Sequence, residues 1–395
     1  MIFPSPYPLA RRFSAVKVAH LCNLPLPADH PDYRRVPYHP GRWALNLALA
    51  QKAYSDVTPE LVVQIPGVKQ NHKAVIETIP VHYLSAPDYL RSATFFMRDR
   101  ARIANYVRKL KPDLVHAHGT EDAYGLAAQS TRLPYVITAQ GLFFHINRAV
   151  RPKLISRQRI VQFTEAWCFR RARHVIAKSR YVRDALAARF PNLILHEIPN
   201  TFDERLLGIR EMKRPNSLVY VGTISPHKGV HTLREALVKV HREIPSVSLD
   251  VAGDSANGAF PYEVEQKQLL QNILGNQVAF HGQLDTLELG RLVASSMALV
   301  APSLEEMFGN QLIEALLLGT HGIVAEGTAL AENVRRFGGG TVVPQEDHQA
   351  LAQAIVATLR NWSSGNTTEV RKRIFEYMGP EIVAGQHFSL YQQLL

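Results

Sequence analysis

The sequence predicts two successive α/β domains, each built on a doubly wound sheet of parallel strands. Three observations carry this prediction. At 395 residues the chain is too long for one ordinary core, so two domains of just under two hundred residues each are expected. Short runs rich in Val, Ile and Leu alternate with segments of helical period, and the alternation runs through twice. Most of the short runs leave into a loop containing Gly, Asn or His, which is where open parallel sheets place their ligands. The expected division is 1–205, 206–379 and a last segment, 380–395, whose Phe388, Leu390, Tyr391 and Leu394 suit a helix packing back on the first domain.

In the first half, Ser14 to Leu21 reads as the opening strand. A loop rich in Pro, Asp, Tyr and Arg follows from Cys22 to Pro40, ending in His39-Pro40-Gly41-Arg42-Trp43 before a helix through Leu45, Leu49 and Ala53. Gly41 lies where backbone can approach a ligand. Leu61 to Ile65 and Ile79 to Leu84 are the next strands, and Tyr89 to Leu110 has one long helical pattern. Leu114 to Ala117 is a strand with His118-Gly119 at its exit, His116 pointing into the sheet; helix 123–130 and strand Tyr135 to Thr138 follow, exiting at Ala139-Gln140-Gly141. Arg151 to Arg173 mixes aromatic and basic residues at helical spacing. His174 to Ala177 is a strand, and Ser179 is placed to cap the next helix. Residues 202–216 read as a polar linker.

The second half repeats the grammar. Strand Leu218 to Val221 leads to the loop Gly222 to Gly229, G-T-I-S-P-H-K-G, and strand Ser248 to Ala252 ends at Gly253-Asp254. Val278 to Phe280 precedes His281-Gly282-Gln283. Val300 to Val324 then reads V-A-P-S-L-E-E-M-F-G-N-Q-L-I-E-A-L-L-L-G-T-H-G-I-V: a strand end, a break at Pro302-Ser303, and a helix opening near Gly309 and Asn310. Glu306 and Glu314, seven residues apart, bracket that opening. Free N–H groups at a helix start attract phosphate, and carboxylates suit sugar hydroxyls. The stretch therefore suits a sugar joined to phosphate. Ile323 to Ala325 and Thr341 to Val343 are the late strands.

Bulk properties narrow the function further. Cys22 and Cys168 are far apart, so no disulfide framework and no metal spacing is expected, only buried thiols. No apolar run has the length of a signal peptide core or a membrane span, which leads to the expectation of a cytoplasmic protein. Net charge is +11, divided as 30 Lys plus Arg against 15 Asp plus Glu in residues 1–205 and 15 against 19 in the rest. The basic half therefore faces any anionic partner, and an anionic membrane surface fits better than nucleic acid, for which there is no stacking platform or motif.

The ordered set of K-P-D-L-V-H-A-H-G, V-G-T-I-S-P-H-K-G, A-G-D and P-S-L-E-E-M-F-G-N-Q-L-I-E-A-L-L-L-G resembles the retaining glycosyltransferases of family 4 and their E-x7-E signature. The resemblance covers nearly the whole chain and implies the GT-B fold of two facing Rossmann-like domains. It implies catalytic roles for Glu306, holding donor-sugar hydroxyls, and for Lys228, neutralising the departing phosphate. Glu314 would hold the nucleotide ribose, and Gly309, Asn310 and the amides beside them would face the diphosphate. Phe308, Gln311, Thr223 and Gly253 join the donor-binding set, and Gln283 lies in the loop that lines the base. Gly41, His118 and Gln140 would form the opposite wall. Three positions depart from the family pattern: Thr223 in place of an arginine, Gln140 in place of a histidine, and His321 in place of a proline.

The resemblance implies a nucleotide-sugar donor of UDP or GDP type as substrate, with no metal or other cofactor. It also implies a glycan or lipid-linked glycan acceptor, as in cell-surface polysaccharide or glycolipid synthesis, and peripheral membrane contact. The competing readings are a GT-B sugar-nucleotide epimerase, a transferase with a small soluble acceptor, and a catalytically silent binder of sugar nucleotide or nucleic acid.

Overall fold

The computed structural model describes residues 15–27, 30, 42–86, 91, 94–120, 123–150, 153, 156–254, 260–361 and 367–395. Gly41 and most of the loop expected before it lie outside the described residues. The first sheet contains β1 (Val16–Leu21), β2 (Val57–Pro66), β3 (His72–Ile76), β4 (Ile79–Ala86), β5 (Leu114–His118), β6 (Tyr135–Ala139), β7 (His174–Ala177) and β8 (Ile194–Glu197). Its order is β3-β4-β2-β1-β5-β6-β7-β8, parallel except for the β3–β4 hairpin. The second holds β9 (Ser217–Val221), β10 (Ser248–Ala252), β11 (Val278–Gly282), β12 (Ala298–Ala301), β13 (His321–Ala325) and β14 (Gly340–Val343) in the order β11-β10-β9-β12-β13-β14, all parallel.

The central strands form because their apolar runs are covered on both faces; β5 and β12 are buried throughout. The edge strands β3 and β8 escape the sequence reading for the opposite reason. They are half-exposed, so Val75 can stand 72% exposed and no continuous apolar run is needed.

Local backbone constraints move several helix boundaries from their expected places. The helix expected over Tyr89 to Leu110 is Met97–Leu110, because Phe95 and Phe96 take left-handed φ of 50° and 56° just before it. Within the Arg151 to Arg173 segment the helix is Arg157–Arg171, started by Ser156, whose hydroxyl accepts from Arg159 N–H. A separate helix, Phe143–Val150, precedes it, and two further helices, Ala329–Phe337 and Thr367–Met378, were not foreseen. The segment 202–216 is not a loose polar linker. Phe202 and Leu206 are buried in a cluster that runs from Val18 and Ile176 under the first sheet to Leu299 and Leu312 under the second.

The halves are also joined by polar straps. Ser179 caps the helix Arg180–Arg189 by accepting from Val182 N–H, and its hydroxyl donates to the carbonyl of Met307 across the junction at 2.8 Å. Glu332, from the second half, accepts from the amides of Arg180 at 3.2 Å and Tyr181 at 3.1 Å. A carboxylate there satisfies free helix-start donors and complements the helix dipole.

Glu332→Ala is expected to lower stability by about 1 kcal/mol, the worth of a lost helix cap, read as a lower urea midpoint. Lys372→Ala, on an exposed face, should leave the midpoint unchanged.

Candidate functional site

Both sheets place their topological switch points toward one cleft of about 760 Å³. In the second sheet β9 is flanked by β10 on one side and β12 on the other. The chain leaves β9 through the loop carrying Lys228 and leaves β12 through the loop carrying Glu306. In the first sheet β1 lies beside β5, whose last residue is His118.

One glycine brings the β9 and β12 loops together, and a second seats the β12 loop against the helix Ala329–Phe337. Gly229 has φ 68°, and a Cβ there would lie 2.0 Å from the Pro302 carbonyl oxygen. Gly309 has φ 84°, and a Cβ would lie 2.1 Å from Leu330 Cδ2. At Gly229 the two backbones pack directly, and at Gly309 the left-handed φ and the Leu330 side chain favour glycine. The loop Leu304 to Gly309 is further held by Ala329 N–H to the Glu306 carbonyl at 3.0 Å and by Asn333 Nδ2 to the Phe308 carbonyl at 2.7 Å.

Within this frame Lys228, on the short turn Pro226–Lys228, donates to Glu306 Oε2 at 2.7 Å, and Gln311 Nε2 donates to the same oxygen at 3.0 Å. Burial disfavours ionisation of Glu306, but the charge and hydrogen bond of Lys228, the bond from Gln311 and the charge of Lys178 prevail and hold its pKa at about 2. The helix Asn310–Leu317 starts beside this pair at Gly309, and no side chain caps it. Glu314 lies inside that helix in an opposite setting. Burial, then the nearby Asp203 carboxylate, push its pKa up to about 7 against the opposing pull of Arg42. Asp203 itself is held by Arg42 Nε at 2.6 Å and by Arg205.

Lys228, Glu306, Phe308, Gly309, Asn310, Gln311, Glu314, Thr223, Gly253 and Gln283 all line the cleft from the second half, and His118 and Gln140 line it from the first. Cys22 and Cys168 are buried free thiols. His116 is fully buried in the sheet.

Sequence reasoning missed Lys178. It follows β7 directly, lines the cleft, is 6% exposed, and donates to the Gln140 carbonyl at 3.0 Å and to Gln140 Oε1 at 2.8 Å. The Gln140 amide is thereby oriented with Nε2 buried and without a hydrogen-bond partner among the described residues. The rule that picked out His118 and Gln140, a residue at the carboxyl end of a parallel strand, applies equally to Lys178. Arg157, at the start of its helix, also borders the cleft. Lys178 and Arg157 thus bring positive charge to a cleft in which Thr223 stands where an arginine was expected.

The arrangement offers cations from two loops, an uncapped helix start, an ionised carboxylate and a second carboxyl that titrates near neutrality. It is suited to an anionic group joined to a polyhydroxylated one.

Residues 208–377 match the family model described as Glycosyl transferases group 1, and residues 40–206 match that of Glycosyltransferase Family 4. The chain is 29% identical to a glycogen synthase of Mycobacterium tuberculosis over 264 residues, 64% of this chain and 61% of that protein. It is 31% identical to a phosphatidyl-myo-inositol mannosyltransferase of Mycobacterium leprae over 137 residues, 34% of this chain and 35% of that one. The alignment with the glycogen synthase thus spans about three-fifths of that relative's length. Among solved structures, sucrose-phosphate synthase from Thermosynechococcus elongatus superposes with TM-score 0.77 at 21% identity, covering 96% of this chain and 99% of its own. HepE of Anabaena, in complex with UDP and glucose, superposes with TM-score 0.72 at 18% identity, covering 95% and 99%. The fold is that of GT-B glycosyltransferases.

The two glutamates should respond oppositely to pH. Because the folded pKa of Glu306 is depressed from 4.5 to about 2, its stabilisation is present above pH 4.5 and lost as pH falls toward 2. Glu306→Gln should abolish that acid slope and cost about 1–2 kcal/mol at pH 7, a value discounted for partial exposure. Because the folded pKa of Glu314 is raised to about 7, the protein loses stability as pH rises from 4.5 through 7. Glu314→Gln should therefore gain stability relative to wild type at pH 8 and show no such gain at pH 4. Denaturant titrations at pH 3, 4, 7 and 8 would check both.

Proposed function

The chain belongs to the family 4 glycosyltransferases, and on that premise we propose that it transfers a sugar, with retention, from a nucleotide-sugar donor of UDP or GDP type to a glycan or lipid-linked glycan. The observation that carries this reading is Lys228 held against Glu306 at the uncapped start of the helix Asn310–Leu317. Cleaving a sugar–phosphate bond leaves negative charge on phosphate and positive character on the sugar. A lysine and a helix start already in place meet the first need without reorganisation. Glu306, ionised at neutral pH, accepts hydrogen bonds from sugar hydroxyls, and Gln140 Nε2 gives one to a sugar oxygen from the opposite wall. Glu314 and Gln283 face the ribose and the base. Gly253 and Thr223 leave room for the diphosphate.

Both glutamates belong to the second half, on the donor side, so they do not straddle the bond as the carboxylates of a retaining glycosidase do. The leaving phosphate serves as the base for the incoming hydroxyl, and no side-chain base is required. Lys178 and Arg157 take the charge role that Thr223 cannot. The relative HepE, whose structure holds UDP and glucose in the same fold, supports the nucleotide-sugar donor.

The acceptor side is the basic first half. There Phe95 and Phe163 meet edge to face at 5.8 Å while 41% and 57% exposed, beside Met97 at 63%. Aromatic residues exposed next to basic helices suit an anionic membrane surface carrying the acceptor, with the enzyme on its cytoplasmic side. Among the described residues no helix is long and apolar enough to cross a membrane.

A thermal-shift comparison of UDP-glucose, GDP-mannose and ADP-glucose tests the donor, because a ligand at one hundred times its Kd stabilises the folded state by about 2.7 kcal/mol. Lys228→Ala should lower kcat for donor consumption by about 10²–10³-fold. Unchanged turnover would remove the active-site assignment. Epimerisation of the donor with no acceptor present would favour the epimerase reading instead.

A further inference from the structure

Behind the cleft, the first sheet carries a buried layer of histidines. The register pairs His20 of β1 with His116 of β5, and strand alternation puts His118 on the same face. The rings of His116 and His118 stack at 4.2 Å, and His20 lies 5.3 Å from His118. Gln51, from the helix Arg42–Tyr54, and Tyr391, from the helix Pro380–Leu394, cover the layer, and both are fully buried.

With the Gln51 amide oxygen toward His20 and its nitrogen toward Tyr391, the hydrogen bonds in this layer run in one direction. Gln51 Oε1 can only accept, so His20 Nε2, 2.9 Å away, is the donor. Burial lowers the pKa of His20 to about 3, so the ring is neutral and its Nδ1 is bare. His118 Nε2, 3.0 Å from that Nδ1, must therefore carry the proton. On the other side Gln51 Nε2 donates to the Tyr391 hydroxyl at 2.9 Å. Tyr391 in turn donates to His116 Nδ1 at 2.7 Å, and His116 Nε2–H to Thr138 Oγ1 at 2.6 Å. The donors thus run from His118 through His20, Gln51, Tyr391 and His116 to Thr138.

His118 is held well below the ordinary histidine pKa, first by burial and then by His20, His387 and Lys178, so it too is neutral. With Nε2 protonated, its Nδ1 keeps a lone pair, and that nitrogen is buried without a hydrogen-bond partner among the described residues. Thr201, whose Oγ1 is likewise buried and unpartnered, borders the same cleft. The three rings lie close enough together to suggest metal binding. Both nitrogens of His20 and both of His116 are already engaged, however, so an ion would have to break the chain it replaced.

We propose that this one-way chain fixes His118 as a hydrogen-bond acceptor and, with Thr201 as the matching donor, makes a subsite for a neutral hydroxyl that excludes phosphate oxygen. A hydroxyl both gives and accepts a hydrogen bond and so satisfies both orphan atoms, whereas a fully ionised phosphate oxygen has no proton to give to Nδ1. That this hydroxyl belongs to the sugar acceptor rests on the reading given under Proposed function; the tautomer does not. His118 is the contacting residue, and Gln51, Tyr391, His116 and His20 are positioning residues.

The test is long-range ¹H–¹⁵N spectroscopy of the full chain labelled in histidine, with His118 assigned through His118→Gln. The expected result at pH 7 is a neutral His118 protonated at Nε2. Addition of methyl α-glucoside, used as a hydroxyl probe, should shift its Nδ1 resonance, and dimethyl phosphate, an anion with no proton to give at this pH, should not. Thr201→Val should weaken the methyl α-glucoside response at least fivefold without altering the tautomer. Tyr391→Phe, which interrupts the chain more than ten residues in sequence from any cleft residue of the first sheet, should give a mixture of tautomers. A proton on Nδ1 in the wild type, or a response to dimethyl phosphate but not to methyl α-glucoside, would overturn the proposal. Because the tautomer is read without turnover, and the donor is read separately by thermal shift with UDP-glucose, failure here is distinguishable from failure of the transferase reading.

Discussion

The contact between Lys228 and Glu306 is the constraint around which the second half is arranged. A lysine and a glutamate 78 positions apart meet at 2.7 Å, with only modest exposure, because the loops after β9 and β12 are drawn into backbone contact. That approach requires glycine at 229, where the Pro302 carbonyl leaves no space for a Cβ. A charge pair in a cleft is costly to desolvate, and its value here is positional. The pair keeps a cation and an anion poised beside a helix start that no side chain caps, so an incoming phosphate and sugar meet groups that are already ordered.

The second feature of the cleft is that its charge is shared between the halves. Thr223 removes one cation from the β9 loop, while Lys178, at the exit of β7, supplies one from across the cleft and contributes to the low pKa of Glu306. The same Lys178 sets the Gln140 amide, so the two departures from the family pattern at 223 and 140 are structurally connected. Asp203, from the segment read as a linker, reaches the other carboxylate and raises the pKa of Glu314. Two settings within one cleft, cations at Glu306 and burial with Asp203 at Glu314, therefore drive two glutamates of a single motif to opposite ends of the carboxylate range.

Behind the first-half wall, the buried histidine layer ties the last helix of the chain to the cleft. Six polar side chains are buried there, which is tolerable because each makes at least one hydrogen bond and only the Nδ1 of His118 is left over among the described residues. Tyr391 is indispensable to that accounting, since its hydroxyl takes a hydrogen bond from Gln51 and gives one to His116.

The local pattern of the chain was sufficient for the two α/β sheets, most of their strands, the cap at Ser179 and the loops that line the cleft. Covered parallel strands must be apolar, and their exits must turn, and both leave marks within a few residues. The same pattern was silent on β3 and β8, because an edge strand has no second layer to demand an apolar run. It also misread residues 202–216, whose charged side chains hid the buried Phe202 and Leu206. Lys178 was within reach of the strand-exit rule but stood out in no motif. The pKa values of Glu306 and Glu314, the orientation of Gln140 and the direction of the histidine chain were decided only by tertiary structure. Each depends on groups brought together from distant parts of the chain, as when Tyr391 meets His116 across 275 positions, and no local pattern encodes such a meeting.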